Sequence, residues 1–172
     1  MEVAVIDTCF LINWARFSGR GKLKLLFSRL FMPELTFSEV RSETALMVAS
    51  KWLSERFLVL APTLPTDEDE VEEILRFVAS HPQLPAIDPP ELYAFVLARR
   101  LGVPFLTDNK APKRVSQLST QYSSVLVLDS LDVLKMIADR GEELGTLVES
   151  FMKETGFRFS RARLREVGLL GL

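Results

Sequence analysis

Two short apolar runs each end in a carboxylate where a strand would hand over to a helix. Val3-Ala4-Val5-Ile6 runs into Asp7-Thr8, and Val103-Pro104-Phe105-Leu106 runs into Thr107-Asp108-Asn109. Glu39 and Glu91 stand at the starts of two further expected helices. In an open parallel sheet, ligands bind in the crevice beyond the carboxyl ends of the strands. Carboxylates gathered there repel one another unless a cation joins them. An all-oxygen donor set suits Mg²⁺ or Mn²⁺, which retain several waters. Asp7, Glu39, Glu91 and Asp108 therefore form a candidate divalent-metal site. The only histidine, His81, lies beside Pro82 in an expected loop, so the set does not read as a zinc centre.

Each acid also has a plain structural explanation. Asp7 fits a helix N-cap, accepting from the N–H of Cys9 or Phe10, and Asp108 fits a turn residue before Asn109. Thr36-Phe37-Ser38-Glu39 has the form of a capping box. Asp88-Pro89-Pro90-Glu91 places Asp at the N-cap, Pro at the first helical position and Glu at the third. Capping explains each acid singly. The ordered set, falling on one edge of one sheet, points to chemistry.

The elements that must position these acids follow from periodicity. Residues 2–6, 57–60, 104–107 and 125–128 read as short buried strands. Helices are expected over 8–17, 22–30, 37–55, 66–80, 89–101 and 112–120, and three more over 130–139, 142–155 and 161–167. Pro33-Glu34-Leu35 reads as a short link or brief strand. Gly102 stops the helix before it, and Gly141 and Gly156 separate the closing helices. This alternation predicts a three-layer α/β/α domain with a mostly parallel central sheet of four to five strands. A single domain is expected over residues 1–172, with a core over about 1–130 and a helical extension over about 130–172.

Bulk properties narrow the classes. At 172 residues, 48% hydrophobic and 26% charged with 12 Phe, the chain can bury a sizeable core. A net charge of −2 gives no global basic field, which leaves room only for a local basic groove. One cysteine, Cys9, rules out an intramolecular disulfide. No basic-then-apolar leader and no membrane-length apolar run is evident, so a soluble, cytoplasmic protein is expected. A C-x5-R phosphatase loop from Cys9 would need Arg at position 15, where Ala15 stands. A D-x-D phosphotransfer motif would need Asp at position 9. The signature of a P-loop NTPase is absent.

The ordered pieces Val5-Ile6-Asp7-Thr8-Cys9-Phe10-Leu11-Ile12, Ser38-Glu39-Val40, Glu91-Leu92-Tyr93-Ala94-Phe95-Val96-Leu97-Ala98 and Phe105-Leu106-Thr107-Asp108-Asn109 resemble the PIN-domain family of ribonucleases. The chain is similar to its prokaryotic, toxin-type VapC members. The resemblance implies metal-dependent hydrolysis of RNA phosphodiesters, releasing a 5′-phosphate, with acids holding one or two Mg²⁺ or Mn²⁺. On it, Asp7 and Asp108 match direct ligands, and Glu39 and Glu91 match a second pair acting directly or through water. Thr8 and Thr107 match flanking hydroxyls. Asn109 takes a place where the family often has another acid, Cys9 stands where Ser is common, and Asp88 competes with Glu91 for the third acidic position. A homodimer is also implied, with apolar helices over 22–31 and 147–159 as its candidate interface. So is an antitoxin protein as a partner.

Lys110, Lys113 and Arg114 follow Asp108 directly and are the expected phosphate-binding residues for an RNA substrate. Arg158, Arg161, Arg163 and Arg165 form a second basic stretch, for which a solvated helix face is the expected reading. The competing function is non-enzymatic: a PIN-like domain that keeps its acids for capping and acts as a protein- or RNA-binding module.

Overall fold

The computed structural model describes residues 2–169. Its strands are β1 (Glu2–Ile6), β2 (Phe27–Pro33), β3 (Leu58–Ala61), β4 (Phe105–Leu106) and β5 (Val127–Leu128). Its helices are α1 (Thr8–Arg16), α2 (Leu23–Leu26), α3 (Glu34–Ser38), α4 (Glu43–Ser54), α5 (Pro65–Ala79), α6 (Pro89–Leu101), α7 (Lys110–Leu118), α8 (Ser130–Ala138), α9 (Leu144–Thr155) and α10 (Arg161–Glu166). A 3₁₀ turn over Ser18–Lys22 joins α1 to α2.

All five strands are parallel, in the order β3-β2-β1-β4-β5. Successive side chains of a strand face opposite sides, and the sheet is covered on both. Ala4 and Ile6 enter one apolar core, built mainly with α1, α4, α8 and α9, while Val5 enters the other, built mainly with α5 and α6. Leu106 and Phe105 divide between the two cores in the same way. This two-sided burial is why the strands read as unbroken apolar runs. The chain leaves β1 toward β2 on one side and later returns as β4 on the other. The carboxyl ends of β1 and β4 therefore flank the point where strand order reverses, the usual crevice of such sheets.

Two expected helices are corrected. Residues 22–30 are not one helix: α2 is a single turn, and Phe27–Pro33 is a strand lying between β1 and β3. Leu23, Leu26, Phe27 and Leu30 carry helical spacing and are buried as such a helix would bury them. Pairing with strands on both sides satisfies the β2 backbone, and that tertiary gain overrides a local pattern. Residues 37–55 form two helices, because the chain breaks at 39–42 and Ser42 caps α4 by accepting from Ala45 N. Within the expected dimer stretches, Leu26, Leu30, Leu147 and Phe151 are buried in the core, while Leu25 is exposed. No described helix is long and apolar enough to cross a membrane.

The C-terminal helices close the first core. Trp14, Phe17 and Phe151 meet at ring-centroid distances of 5.2–5.6 Å. Gly156 ends α9 with φ 74°, a left-handed position that most side chains resist. The chain then turns back so that Phe157 and Phe159 pack beside Phe151.

Candidate metal centre and adjoining basic pocket

Asp7 ends β1 and caps α1. Its Oδ1 accepts from Phe10 N at 2.8 Å, and its Oδ2 accepts from the Thr107 hydroxyl at 2.5 Å. The Cys9 thiol also points at it, 3.2 Å from Oδ2. Capping and site geometry coexist in this one residue, because a helix that begins right after a parallel strand places its cap at the sheet edge.

Glu91 reaches the same place from α6. It is 7% exposed, its Oε2 accepts from Asn109 Nδ2 at 3.0 Å, and its Oε1 is buried without a partner. The expected capping role is therefore not the one observed: the carboxylate turns to Asn109 rather than back to the Asp88 backbone. A chain of hydroxyls sets this approach. The Thr8 hydroxyl donates to Thr36 O at 3.0 Å, and the Thr36 hydroxyl donates to Pro90 O at 2.6 Å. These two bonds tie the starts of α1 and α6 to α3. Asp7, Thr8, Cys9, Thr36, Glu91 and Asn109 line a pocket of about 190 Å³ with Glu39 and Asp88.

Glu39 is corrected in its local role. It is exposed and forms the C-cap of α3, so it ends a helix rather than starting one. Thr36 is not an N-cap either, since its hydroxyl is given to Pro90. Asp88 is exposed at the N-cap of α6 with no capping bond from its side chain.

Asp108 faces elsewhere. Its Oδ1 accepts from Ser130 N at 2.8 Å, and its Oδ2 accepts from the Ser130 hydroxyl at 2.8 Å and from Asn13 Nδ2 at 2.7 Å. Three donors occupy it, and Asp108 is absent from the lining of the acidic pocket. Among the described residues, no group of three or more His, Cys, Asp or Glu is arranged to hold a metal ion. Asp7 and Glu91, with the Asn109 amide, are the donors that could hold one.

Electrostatics set the same pair apart. Burial pushes the Asp7 carboxyl up to about 6, against the lowering effect of the Thr107, Phe10 and Cys9 bonds. Burial pushes Glu91 up to about 8, and the charges of Asp7 and Asp88 add to it. Burial also raises Asp108, opposed by its bonds from Asn13 and Ser130. The Cys9 thiol is held far above its ordinary range by burial and then by Asp7 and Asp108, so it is a weak donor and not a nucleophile.

Lys110, Lys113 and Arg114, on α7, line a second and larger pocket of about 670 Å³ with Thr107, Asp108 and Asn109. Its far wall is the C-terminal segment, including Phe157, Arg158, Phe159 and Arg163. The expected solvated face is corrected for Arg163, whereas Arg158 is exposed as expected but lies in the segment before α10 rather than on a helix. Arg158 lines the pocket, and Arg163 bonds Asp129 and Asp132 at 2.7–2.9 Å and also pairs with Glu166. Lys113 faces the same two acids, 3.4 Å from Asp132.

Asn13, Thr36, Asp129 and Ser130 escaped the sequence reading as site-building residues. Asp129 repeats the signal that marked Asp7 and Asp108, an apolar run ending in a carboxylate. Asn13 is a lone amide in the apolar stretch Phe10-Leu11-Ile12-Asn13-Trp14. Ser130 shows no such signal: it matters because Trp14 Nε1 donates to its hydroxyl at 2.9 Å while the hydroxyl serves Asp108. Ser130→Ala leaves a buried indole N–H without its acceptor, a loss of about 1–3 kcal/mol. The expected result is a melting temperature lower by roughly 3–9 °C, read by circular dichroism. An unchanged melting temperature would show that the bond carries no stability.

No protein-family model matches the chain, and no curated protein matches it in sequence. By structure, the chain is similar to a chain of the crystal structure of VapBC2 from Rickettsia felis bound to a DNA fragment from their promoter. The TM-score is 0.54 at 12% identity, over 74% of this chain and 98% of that one. At that identity the likeness is one of fold.

Proposed function

We propose that the chain is a divalent-metal-dependent ribonuclease whose working acids are Asp7 and Glu91. The observation that carries this reading is a buried glutamate with an unpartnered Oε1, sharing a small pocket with a second buried carboxylate. Leaving a buried polar atom unpaired is costly, and a cation between the two acids removes both the orphaned oxygen and the repulsion. Mg²⁺ is commonly held by one or two carboxylates plus waters and substrate phosphates, so two acids are a sufficient protein contribution. When bound, such an ion polarises a phosphodiester and acidifies a water.

The surrounding residues have distinct tasks in this reading. Thr107 orients Asp7, and Asn109 orients Glu91. Partners of this kind fix the direction of a ligand and tune its basicity. Lys110, Lys113 and Arg114 contact phosphates of the RNA. Glu39 and Asp88, at the rim, act through water. Asp108 fastens the β4 end to α8 and so positions Thr107 and Asn109, rather than serving as a direct ligand.

The fold likeness to a chain of VapBC2 is consistent with a toxin partnered by an antitoxin; a cytoplasmic location and a homodimer are further parts of this proposal and do not rest on that likeness. Leu35, Leu46 and Met47 are exposed on α3 and α4 and offer apolar surface for such contacts. One observation favours the rival reading of an inactive binding module: Asp108 is saturated, and no threefold ligand cluster occurs among the described residues.

Calorimetric titration with Mn²⁺ separates the two readings. Wild type is expected to bind one ion per chain near neutral pH, with proton release, because acids held protonated by burial must ionise to ligate. Asp7→Asn/Glu91→Gln, its fold checked by circular dichroism, is expected to bind none. Absence of binding to wild type at millimolar Mn²⁺ would support the binding module.

A further inference from the structure

The 670 Å³ pocket is larger than the acidic one and is of another chemical kind. Lys110, Arg114 and Arg158 line it, and none of the three forms an ion pair with a described carboxylate. Arg163 and Lys113, by contrast, are engaged with Asp129 and Asp132. The free cations thus come from both walls, two from α7 and one from the C-terminal segment. Arg158 is steadied by one bond from Nη1 to Met152 O at 3.2 Å, which leaves its other donors unused.

Two aromatic rings, Phe157 and Phe159, line the same pocket as these cations. Phe159 stacks on Phe151 at 5.8 Å, and Phe157 meets Phe159 edge-on at 5.1 Å. Both stay partly exposed and line the pocket, anchored on the core side. The Arg163 network with Asp129 and Asp132 pins α10 behind them. Partly exposed aromatic rings beside unpaired cations match one ligand class, a planar base carrying a phosphate; of the carboxylates in the lining, Asp129 and Glu166 are paired with Arg163 and Asp108 is taken by Asn13 and Ser130. Bases gain roughly 1–3 kcal/mol each from aromatic stacking in single-stranded nucleic acid sites, and cations add salt-dependent phosphate contacts. The pocket's volume falls within the ~300–1,000 Å³ span of small-ligand sites. Asn109 lines both pockets, so a nucleotide in the larger one lies next to the acids.

We propose that the C-terminal segment Phe157–Arg163 and the start of α7 form a nucleotide-binding pocket that seats one unit of a single-stranded chain beside the acidic site. This deepens the nuclease reading, on which the role of the pocket in substrate placement rests, but nucleotide binding is measured without cleavage. The ligand has two sources, a free nucleotide or a unit of a longer strand.

The test is fluorescence anisotropy of the full chain in EDTA with a labelled single-stranded RNA octamer, with AMP and UMP as competitors. Wild type is expected to bind, more weakly as salt rises. Arg114→Glu/Arg158→Glu is expected to weaken binding at least tenfold, while Lys51→Glu, a charge reversal on α4 outside both pockets, leaves it unchanged. Phe157→Leu is expected to weaken it severalfold with a smaller change in salt dependence, its melting temperature being checked alongside. Competition by AMP or UMP at micromolar concentration identifies a free-nucleotide site, and competition only by oligonucleotide identifies a strand site. Both outcomes support the pocket. Equal binding by wild type and the double reversal overturns it, as does the absence of any binding. If binding depends on Arg114 and Arg158 but no RNA is cut with Mn²⁺, the nuclease reading fails and the pocket stands. Equal cleavage by the double reversal at limiting RNA removes the pocket and leaves the nuclease.

Discussion

Asp7→Asn is expected to lower the rate of Mn²⁺-dependent RNA cleavage by about 10²-fold or more while the protein stays folded. Replacing a partner that only orients a metal ligand typically costs about 10–100-fold, so losing the ligand itself is placed at or beyond the top of that range. The fold survives because the asparagine amide oxygen still accepts from Phe10 N, which preserves the cap of α1. Two companions sharpen the result. Thr107→Val removes the hydroxyl that holds Asp7 Oδ2 and is expected to cost about 10–100-fold. Glu39→Gln, at an exposed C-cap, is expected to cost less than about tenfold. Gel-resolved cleavage of a labelled RNA pool reads all three. Wild-type rates from Asp7→Asn would remove this residue from the chemistry and the proposed mechanism with it.

In EDTA, the melting temperature is expected to fall as pH rises from 5 to 9. The folded protein holds protons on Asp7 up to about pH 6 and on Glu91 up to about pH 8, against ordinary values of 3.8 and 4.5. The folded state therefore binds more protons than the unfolded chain across this window, and stability declines with pH. The contribution is fully present below about pH 4 and is lost in two stages, through about 6 and then about 8. Each tenfold difference in proton affinity is worth about 1.4 kcal/mol, so the combined fall between pH 5 and 9 is expected to be roughly 10–20 °C. Glu91→Gln keeps the acceptor for Asn109 and cannot ionise. It should remove the slope above pH 6 and melt higher than wild type at pH 8.5. Mn²⁺ should restore wild type at that pH through preferential binding to the folded state. Differential scanning fluorimetry across pH, with and without Mn²⁺, measures each effect. A flat wild-type profile between pH 5 and 9 would mean that the two carboxyls are better solvated than their burial indicates.

These two results concern a pair of acids that the chain does not single out by itself. Asp7, Asp108 and Asp129 carry one local signature, an apolar run ending in a carboxylate, yet they have three different roles. Asp7 points into the small pocket, Asp108 is taken by Asn13 and Ser130, and Asp129 binds Arg163. The partners of Asp108 lie 22 or more residues away, and Asp129, besides capping α8 locally by accepting from Asp132 N, takes Arg163 from 34 residues away. Local pattern cannot choose among partners so distant, because the choice depends on how helices from different parts of the chain are laid against one sheet.

The fold class and the edge of the sheet where chemistry would sit are legible in local pattern alone. Buried parallel strands must be apolar throughout, helices must follow them, and capping chemistry marks where those helices begin. The same local rules hid β2, whose apolar residues keep helical spacing, and misread Glu39, whose threonine three residues earlier spends its hydroxyl on Pro90. That Glu91 meets Asp7, that Asp108 turns away, and that the tail lines a basic, aromatic pocket with α7 follows only from the packing of the layers. Burial and long-range hydrogen bonding distribute a limited set of donors among competing carboxylates. That distribution exists only once the layers have packed.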